Sequence, residues 1–350
     1  MFNATFQSPD LTTFCRLDGL GLEVTGQHVR PGRAVLACRV VDPDDWCRKC
    51  GCQGVPRDTV TRRLGHEPFG WRPTTLLVSI RRYRCAGCGH VWRQDTSKAA
   101  EPRAKLSRRG LRWALEGVVC QHLTVARIAE GLGVTWNTAN KAVLAEGRRV
   151  LIDDPHRFDG VKVIGVDEHV WRHSRRGDKY VTVIIDLTPI RDGTGPSRLL
   201  DMVEGRSKLA FATWLQERPQ EWRDGVEVVA MDGFSGFKSA AAEELPDAVP
   251  VMDPRAKGQQ MMQAVIDSLS SGVPTALTEL RTLGRTLKRR AQDVLAYFER
   301  PGTSNGPSEA INGRLEHLRG SALGFRNLTN YVARSLLESG GFRPKLHSQF

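Results

Sequence analysis

The sequence predicts an α/β protein. Its C-terminal half reads as a mixed sheet with helices on both sides, preceded by a small cysteine-bearing ribbon and a helical domain. Three observations carry this reading. Apolar runs at 161–171, 179–187, 197–205 and 226–234 have the length and composition of strands, and a helix falls between the third and the fourth. Two of these runs end in carboxylates, at Asp167 and Asp232. Two CxxC pairs stand well ahead of them, at 47–50 and 85–88.

The totals set bounds. A chain of 350 residues holds two or three domains. With 51 Lys and Arg against 39 Asp and Glu, the net charge is +12, which favours a polyanionic partner. An apolar fraction of 40% argues against general disorder. No apolar run reaches the roughly 18 residues of a membrane span. The opening MFNATFQSPD lacks the basic-then-apolar pattern of a secretory signal, so a reducing cytoplasm is expected. Eight cysteines in that setting point to metal binding, not disulfides.

Residues 1–100 form the first expected module. Cys15 and Cys38 sit alone among apolar residues and read as core. WCRKCGC supplies Cys47 and Cys50, and YRCAGCGHVW supplies Cys85 and Cys88. Each knuckle is followed by a glycine, Gly51 or Gly89, suited to the tight turn that aims both thiolates at one ion. Two such pairs match a tetrahedral structural zinc site. Cys52 and His90 are competing ligands of lower rank. The stretch 53–84 between the knuckles reads as a hairpin-like ribbon, and zinc supplies the folding energy that so small a module lacks. The alternative is a set of unrelated cysteines.

Residues 103–150 are helical. Ser107 opens an amphipathic segment, Thr124 caps a short helix at 125–131, and Thr135 caps a second one running to 145. The turn at 132–134, with Ala129, Leu132 and Val134 facing inward, makes a helix-turn-helix pattern. Its second helix is expected to present Trp136, Asn137, Asn140 and Lys141 to a major groove. Arg108 and Arg109, with Arg103 and Lys105, are expected to hold the DNA backbone. The bland alternative is a helical hairpin with Trp136 in the core. A polar stretch, 148–158, marks a domain boundary.

Residues 160–340 carry the expected chemistry. Three strands, a helix at 208–216 and a further strand fit a ribonuclease-H-like fold. Its first and fourth strands lie side by side, bringing Asp167 and Asp232 together. Carboxylates of this kind are hard oxygen ligands for magnesium, and a pair of such ions assists in-line attack on a phosphodiester. A third carboxylate is expected from the helix in GTSNGPSEAINGRLEHLRG, where Glu309 lies in the first turn between Asn305 and Asn312. Favourable placement near the helix dipole is the simpler reading of Glu309. Asp186 and Asp253 are alternatives. Glu168 points to the opposite face of its strand. The stretch 275–300 reads as helical and amphipathic, basic around LKRR.

The sequence resembles the ISL-three family of bacterial insertion-sequence transposases. The likeness rests on the two CxxC pairs, the helix-turn-helix, IGVDEH at 164–169, VVAMDGFSGF at 228–237, TSNGPSEAINGRLEHLRGSALGFRN at 303–327 and the closing NLTNYVARSLLESGGF. The resemblance implies a DDE-type recombinase with Asp167, Asp232 and Glu309 as its triad, holding magnesium or manganese. It implies double-stranded DNA as partner, both the element's terminal inverted repeats and target DNA, with a homodimer bringing two ends together. The expected setting is the bacterial cytoplasm, associated with the nucleoid when DNA-bound. One departure stands out. VMDP at 251–254 runs directly into RAKG, where family members continue into a long helical segment. That implies an internal deletion near 254/255. It raises a second reading, an inactive remnant that only binds DNA, and a third, a zinc-containing regulator sharing the scaffold.

Overall fold

The computed structural model describes residues 8–172, 179–232, 234–252, 259–271, 273–274, 276–299 and 306–347. It divides into two compact units, 1–147 and 148–350.

The first unit contains α1 (Leu11–Phe14), β1 (Leu22–Arg30), β2 (Arg33–Val40), β3 (Gly54–Phe69), β4 (Arg72–Cys85) and β5 (Val91–Arg93). Then come α2 (Arg108–Val119), α3 (Val125–Leu132) and α4 (Trp136–Gly147). β3 and β4 form the ribbon expected between the knuckles, running from Gly54 opposite Cys85 to Phe69 opposite Arg72. The sheet order is β1-β2-β4-β3, with β5 on β4. The β1–β2 hairpin was not legible, because most of β1 is exposed and lacks clean alternation. Leu36 and Cys38 on β2 join Leu64, Leu76, Val78 and Ile80 in one buried cluster, with Cys15 alongside.

Two local devices seat the helices. The Ser107 hydroxyl accepts the Gly110 N–H at 3.0 Å, capping α2, and lies 2.7 Å from Nδ1 of the buried His66 on β3. Thr124 caps α3, which ends at Gly133 with φ +62°, a left-handed conformation that suits glycine. The Thr124 cap falls where the sequence puts it, as does Thr135, whose hydroxyl accepts the Thr138 N–H at 3.3 Å, and α3 and α4 run one and two residues beyond their expected ends at 131 and 145.

The second unit opens with a π-helical turn (Arg148–Ile152) and a 3-10 turn (Pro155–Phe158) within the expected connector. It continues through β6 (Val163–Val170), β7 (Tyr180–Asp186), α5 (Thr188–Arg191), β8 (Arg198–Glu204), α6 (Lys208–Gln216) and α7 (Gln220–Asp224). Next are β9 (Val228–Met231), α8 (Ser235–Glu244), β10 (Val249–Met252), α9 (Gln259–Ser270), α10 (Thr278–Arg289) and α11 (Ala291–Glu299). α12 (Gly306–Ser321), α13 (Leu328–Ser339) and α14 (Arg343–His347) close the chain. The sheet order is β10-β9-β6-β7-β8. β10, β9 and β6 run parallel, while β6, β7 and β8 are antiparallel. The first and fourth strands of the unit are therefore neighbours, as expected.

Alternation along β6 sorts its side chains. Ile164 and Val166 pack with Phe211 and Trp214 of α6 and Phe237 of α8. Val163 joins Val228, Ala230 and Val251, with Ala296 and Tyr297 of α11 against them. Gly165, Asp167 and His169 share the face of Val163. The stretch 275–300, expected to be helical, holds two helices, with Arg290 separating α10 from α11. Its side chain is buried beside Asp293 at 3.3 Å, a contact the amphipathic pattern did not reveal. The turn read at 173–179 falls almost wholly outside the described residues; Asp253, Asn305 and the 254/255 junction do so entirely. Among the described residues, no helix is long and apolar enough to cross a membrane.

Candidate active site and metal centre

The ribbon's open end gathers the thiolates. Cys47 and Cys50 precede β3, and Cys85 closes β4 with Cys88 just beyond. Their four sulfurs all lie within 4.8 Å of one another. Individual separations are 3.7 Å for Cys47–Cys88, 3.3 Å for Cys50–Cys85 and 3.4 Å for Cys50–Cys88. A tetrahedral zinc with Zn–S near 2.3 Å sets sulfurs roughly 3.8 Å apart, so the donor set fits this ion. Gly51 and Gly89 have φ of +73° and +69°, the turns expected of each knuckle. The Cys85 thiol is pulled down to about 6, first by the Cys88 N–H that points at its sulfur from 3.4 Å. Cys52 and His90 stand outside the tetrad. His90 instead stacks on Trp92.

The carboxylates are assembled differently. The last parallel pair of β6 and β9 is Val166 with Met231, so Asp167 and Asp232 are the next residues on adjacent strands. Asp232 accepts the Phe234 N–H at 2.9 Å just before α8 begins. Asp167 is mostly buried. Its Oδ1 accepts the Glu168 N–H at 2.8 Å, and its Oδ2 accepts Nδ2–H of Asn312 at 3.0 Å. Asn312 lies on α12, three residues after Glu309, and the two share one side of the helix.

Gly165 explains how α12 comes so near. A Cβ there would lie 2.9 Å from the Ser308 hydroxyl, so only glycine leaves room for this approach. Ser308 is fully buried and precedes Glu309. The Asp167 carboxyl is pushed up to about 6. Burial is the main cause, and Asp232, Glu168 and Glu309 push the same way, against the Glu168 N–H, which lowers it. Beside it, Asn312 Oδ1 is buried with no hydrogen-bond partner among the described residues. An oxygen-rich cluster of this kind offers the hard donors that a divalent cation takes. The trio is nonetheless looser than the thiolates. Among the described residues, the tetrad is the one group of three or more potential ligands held within 4.8 Å.

Other expected positions fall out as follows. Glu168 faces away from Asp167's side and pairs with Arg206 at 2.8 Å. Asp186 is buried against Arg198 Nε at 2.8 Å and caps Thr188 N–H, roles that hold the sheet edge together. On α4, Trp136, Asn137 and Lys141 are exposed, but Asn140 is 8% exposed. This corrects the expectation for Asn140. It follows the buried Ala139 and precedes Val143 by one turn, so it lies on the packed face. Arg109 is paired with Glu67 and Arg108 with Glu101, so both arginines anchor the start of α2 within the unit. Sequence reasoning named Asn312 only as a neighbour and missed Gly165, although a glycine inside a strand run is itself a sign of close backbone approach.

The second unit is thus an α/β domain with Asp167 and Asp232 just past the parallel pairing of β6 and β9, in a chain that also bears a cysteine tetrad able to hold a metal ion. Residues 164–254 and 255–335 match the model of the ISL-three DDE family, described as "Transposase". Residues 164–335 of the chain belong to this family of transposases. No curated protein matches it.

Proposed function

We propose that this chain cleaves DNA at the terminal inverted repeats of an insertion sequence and joins the freed ends to target DNA. The observation that carries the reading is the convergence on Asp167: Asp232 from the adjacent parallel strand, and the Glu309 helix held by Asn312. On this reading residues 160–340 are a ribonuclease-H-like catalytic domain, 103–150 a helix-turn-helix and 1–100 a zinc module. Asp167, Asp232 and Glu309 hold magnesium or manganese, and Cys47, Cys50, Cys85 and Cys88 hold zinc. Bound there, a divalent cation supplies Lewis-acid activation of the attacking and leaving oxygens. Asp167 and Asp232 present hard oxygen donors from a rigid sheet. Asn312 fixes the rotation of the Asp167 carboxylate by engaging Oδ2 while the Glu168 N–H engages Oδ1. Water opens one phosphodiester, and the freed 3′-hydroxyl then attacks the target, with no covalent protein intermediate. Two copies of the chain hold the two ends.

DNA binding is read from α3 and α4, with Trp136, Asn137 and Lys141 facing outward. The charge distribution supports it. Residues 1–147 hold 22 Lys and Arg against 13 Asp and Glu, a net +9 of the chain's +12. A second reading, an inactive copy that occupies element ends without cutting them, is favoured by the abutting of the two matched segments at 254/255 and by the looseness of the trio.

The test is strand cleavage and joining on inverted-repeat DNA with magnesium or manganese. The wild type should nick the DNA to leave a 3′-hydroxyl. Asp167→Ala and Glu309→Gln should each fall at least about a hundred-fold while still binding DNA. Full activity in Asp167→Ala removes the site assignment. Binding by the wild type with no cleavage under either metal establishes the remnant.

A further inference from the structure

The tip of the β3–β4 hairpin has features that folding does not explain. Its two loop residues, Gly70 and Trp71, have φ of +55° and +65°. Two positive values are the pattern of a type I′ turn, for which Asn-Gly is the favoured pair. A tryptophan in that conformation is strained by its own backbone. It gains nothing in return from the fold, since Trp71 is 99% exposed. An indole held in water on a strained turn points to a partner outside the chain.

The place of the tip says which partner. The two knuckles lie at the other end of the ribbon, so the zinc end and the tip are separated by roughly 45 Å of strand. The tip end is where the helices sit. Pro73 Cβ would be 3.2 Å from a Cβ on Gly133, in the α3–α4 turn. Gly65 on β3 lies equally close to Leu132 and Val134. Trp71 is two residues from Pro73, and the start of α4 at Trp136 is three residues from Gly133. The tip and the N-terminus of α4 thus occupy one end of the unit. That end displays Trp71, Arg72, Trp136, Asn137 and Lys141, all exposed, in the unit that carries most of the chain's net positive charge.

We infer that the β3–β4 tip is a second DNA-contacting element, setting the Trp71 indole against bases and Arg72 against phosphate beside the segment contacted by α4. This rests on the DNA-binding reading of α4. Aromatic side chains stack on any base face, and apolar wedges that enter a groove unstack a step and bend the duplex. An extended arm next to a recognition helix adds contact area without altering what the helix reads. A second copy of the chain is the competing occupant, and the cationic surroundings disfavour it.

The experiment uses the full chain and a labelled mixed-sequence DNA duplex, titrated at several salt concentrations. Trp71→Ala should weaken binding about ten-fold or more, and Trp71→Phe should recover most of the loss. Because Trp71 carries no charge, the dependence of log K on log salt should stay the same in both variants. Lys141→Ala should instead flatten that slope by about one. Melting midpoints should match the wild type, since the side chain touches nothing. Wild-type affinity in Trp71→Ala alongside a weakened Lys141→Ala overturns the tip and leaves the α4 reading standing. A change in sedimentation with unchanged DNA affinity assigns the tip to self-association and also overturns it. Absence of duplex binding by the wild type overturns both readings together.

Discussion

The thiolate tetrad and the carboxylate trio are two solutions to holding like charges together. The four sulfurs come from the two ends of one hairpin, and they sit within 4.8 Å of each other. Their spacing is set locally, by knuckle turns at Gly51 and Gly89 and by the pairing of Gly54 with Cys85. The carboxylates come from two strands and a distant helix, and they remain more open. Their convergence depends on tertiary packing, on Ser308 against Gly165 and on Asn312 against Asp167. A closed site suits a structural ion, and an open one leaves room for a substrate. The contrast also locates the vulnerability of each site: loss of the ion for the tetrad, displacement of α12 for the trio.

Removing the tetrad's ion should have the largest effect. Zinc binding by such a site is worth on the order of 10 kcal/mol of folding energy. The purified chain should carry one zinc, measured by elemental analysis. Strong chelation or Cys50→Ser should abolish amide-exchange protection across β3, β4 and β5 and leave the β6–β9 region protected. A metal-free chain with an unchanged ribbon would show that the hairpin needs no ion, and the contrast with the trio would lose its basis.

The same contrast decides how much could be read from the sequence. CxxC pairs declare their geometry because their ligands are close in sequence, and the tetrad was legible down to its four residues. The caps at Thr124 and Thr135 were legible for the same reason. The adjacency of Asp167 and Asp232 was legible because both follow recognisable apolar runs, although β6 runs on past Asp167 to Val170. The β1–β2 hairpin was hidden by its exposure. Asn140 was placed on the wrong face because helix spacing gives a stripe without saying which side is packed. Arg108 and Arg109 were offered to DNA from their charge; their ion pairs with Glu101 and Glu67 are a part of their setting that a sequence does not show. The buried ion pair of Arg290 with Asp293, where α10 gives way to α11, is a contact that no periodicity encodes.

Acid should separate the two units by a smaller margin. Burial holds His66 down to about 4 from an ordinary 6.5, so the folded first unit binds fewer protons than the unfolded chain between those values. Stability from this group is complete above pH 6.5 and is lost as the pH falls toward 4, about 3 kcal/mol in all. His169, also held down to about 4 by burial, does the same in the second unit. There Asp167 acts oppositely. Raised from 3.8 to about 6, it favours folding as the pH drops through that window and offsets much of the histidine loss. Pulsed amide exchange from about pH 7 to about pH 4.5, without added divalent cation, should find the first unit opening before the second. Protonation of the zinc thiolates pushes in the same direction. Simultaneous opening would mean that burial does not raise the Asp167 carboxyl as described.

The smallest expected effect tests the trio most directly. Gly165→Ala places a methyl 2.9 Å from the Ser308 hydroxyl and 3.1 Å from Leu187 Cδ1. Overpacking of this kind costs about 1–3 kcal/mol, confined here to the second unit. α12 yields more easily than the central strand, so the Asn312–Asp167 bond at 3.0 Å should lengthen and Glu309 should move with it. DNA cleavage should fall about ten-fold or more, while zinc content and duplex binding stay at wild-type levels. Ser308→Gly in the same chain removes the colliding hydroxyl and should restore part of the activity. Recovery ties Glu309 to the docking of α12 on β6. Loss of activity without recovery places the damage at Leu187 and the sheet, and the helix then has no special claim on the site.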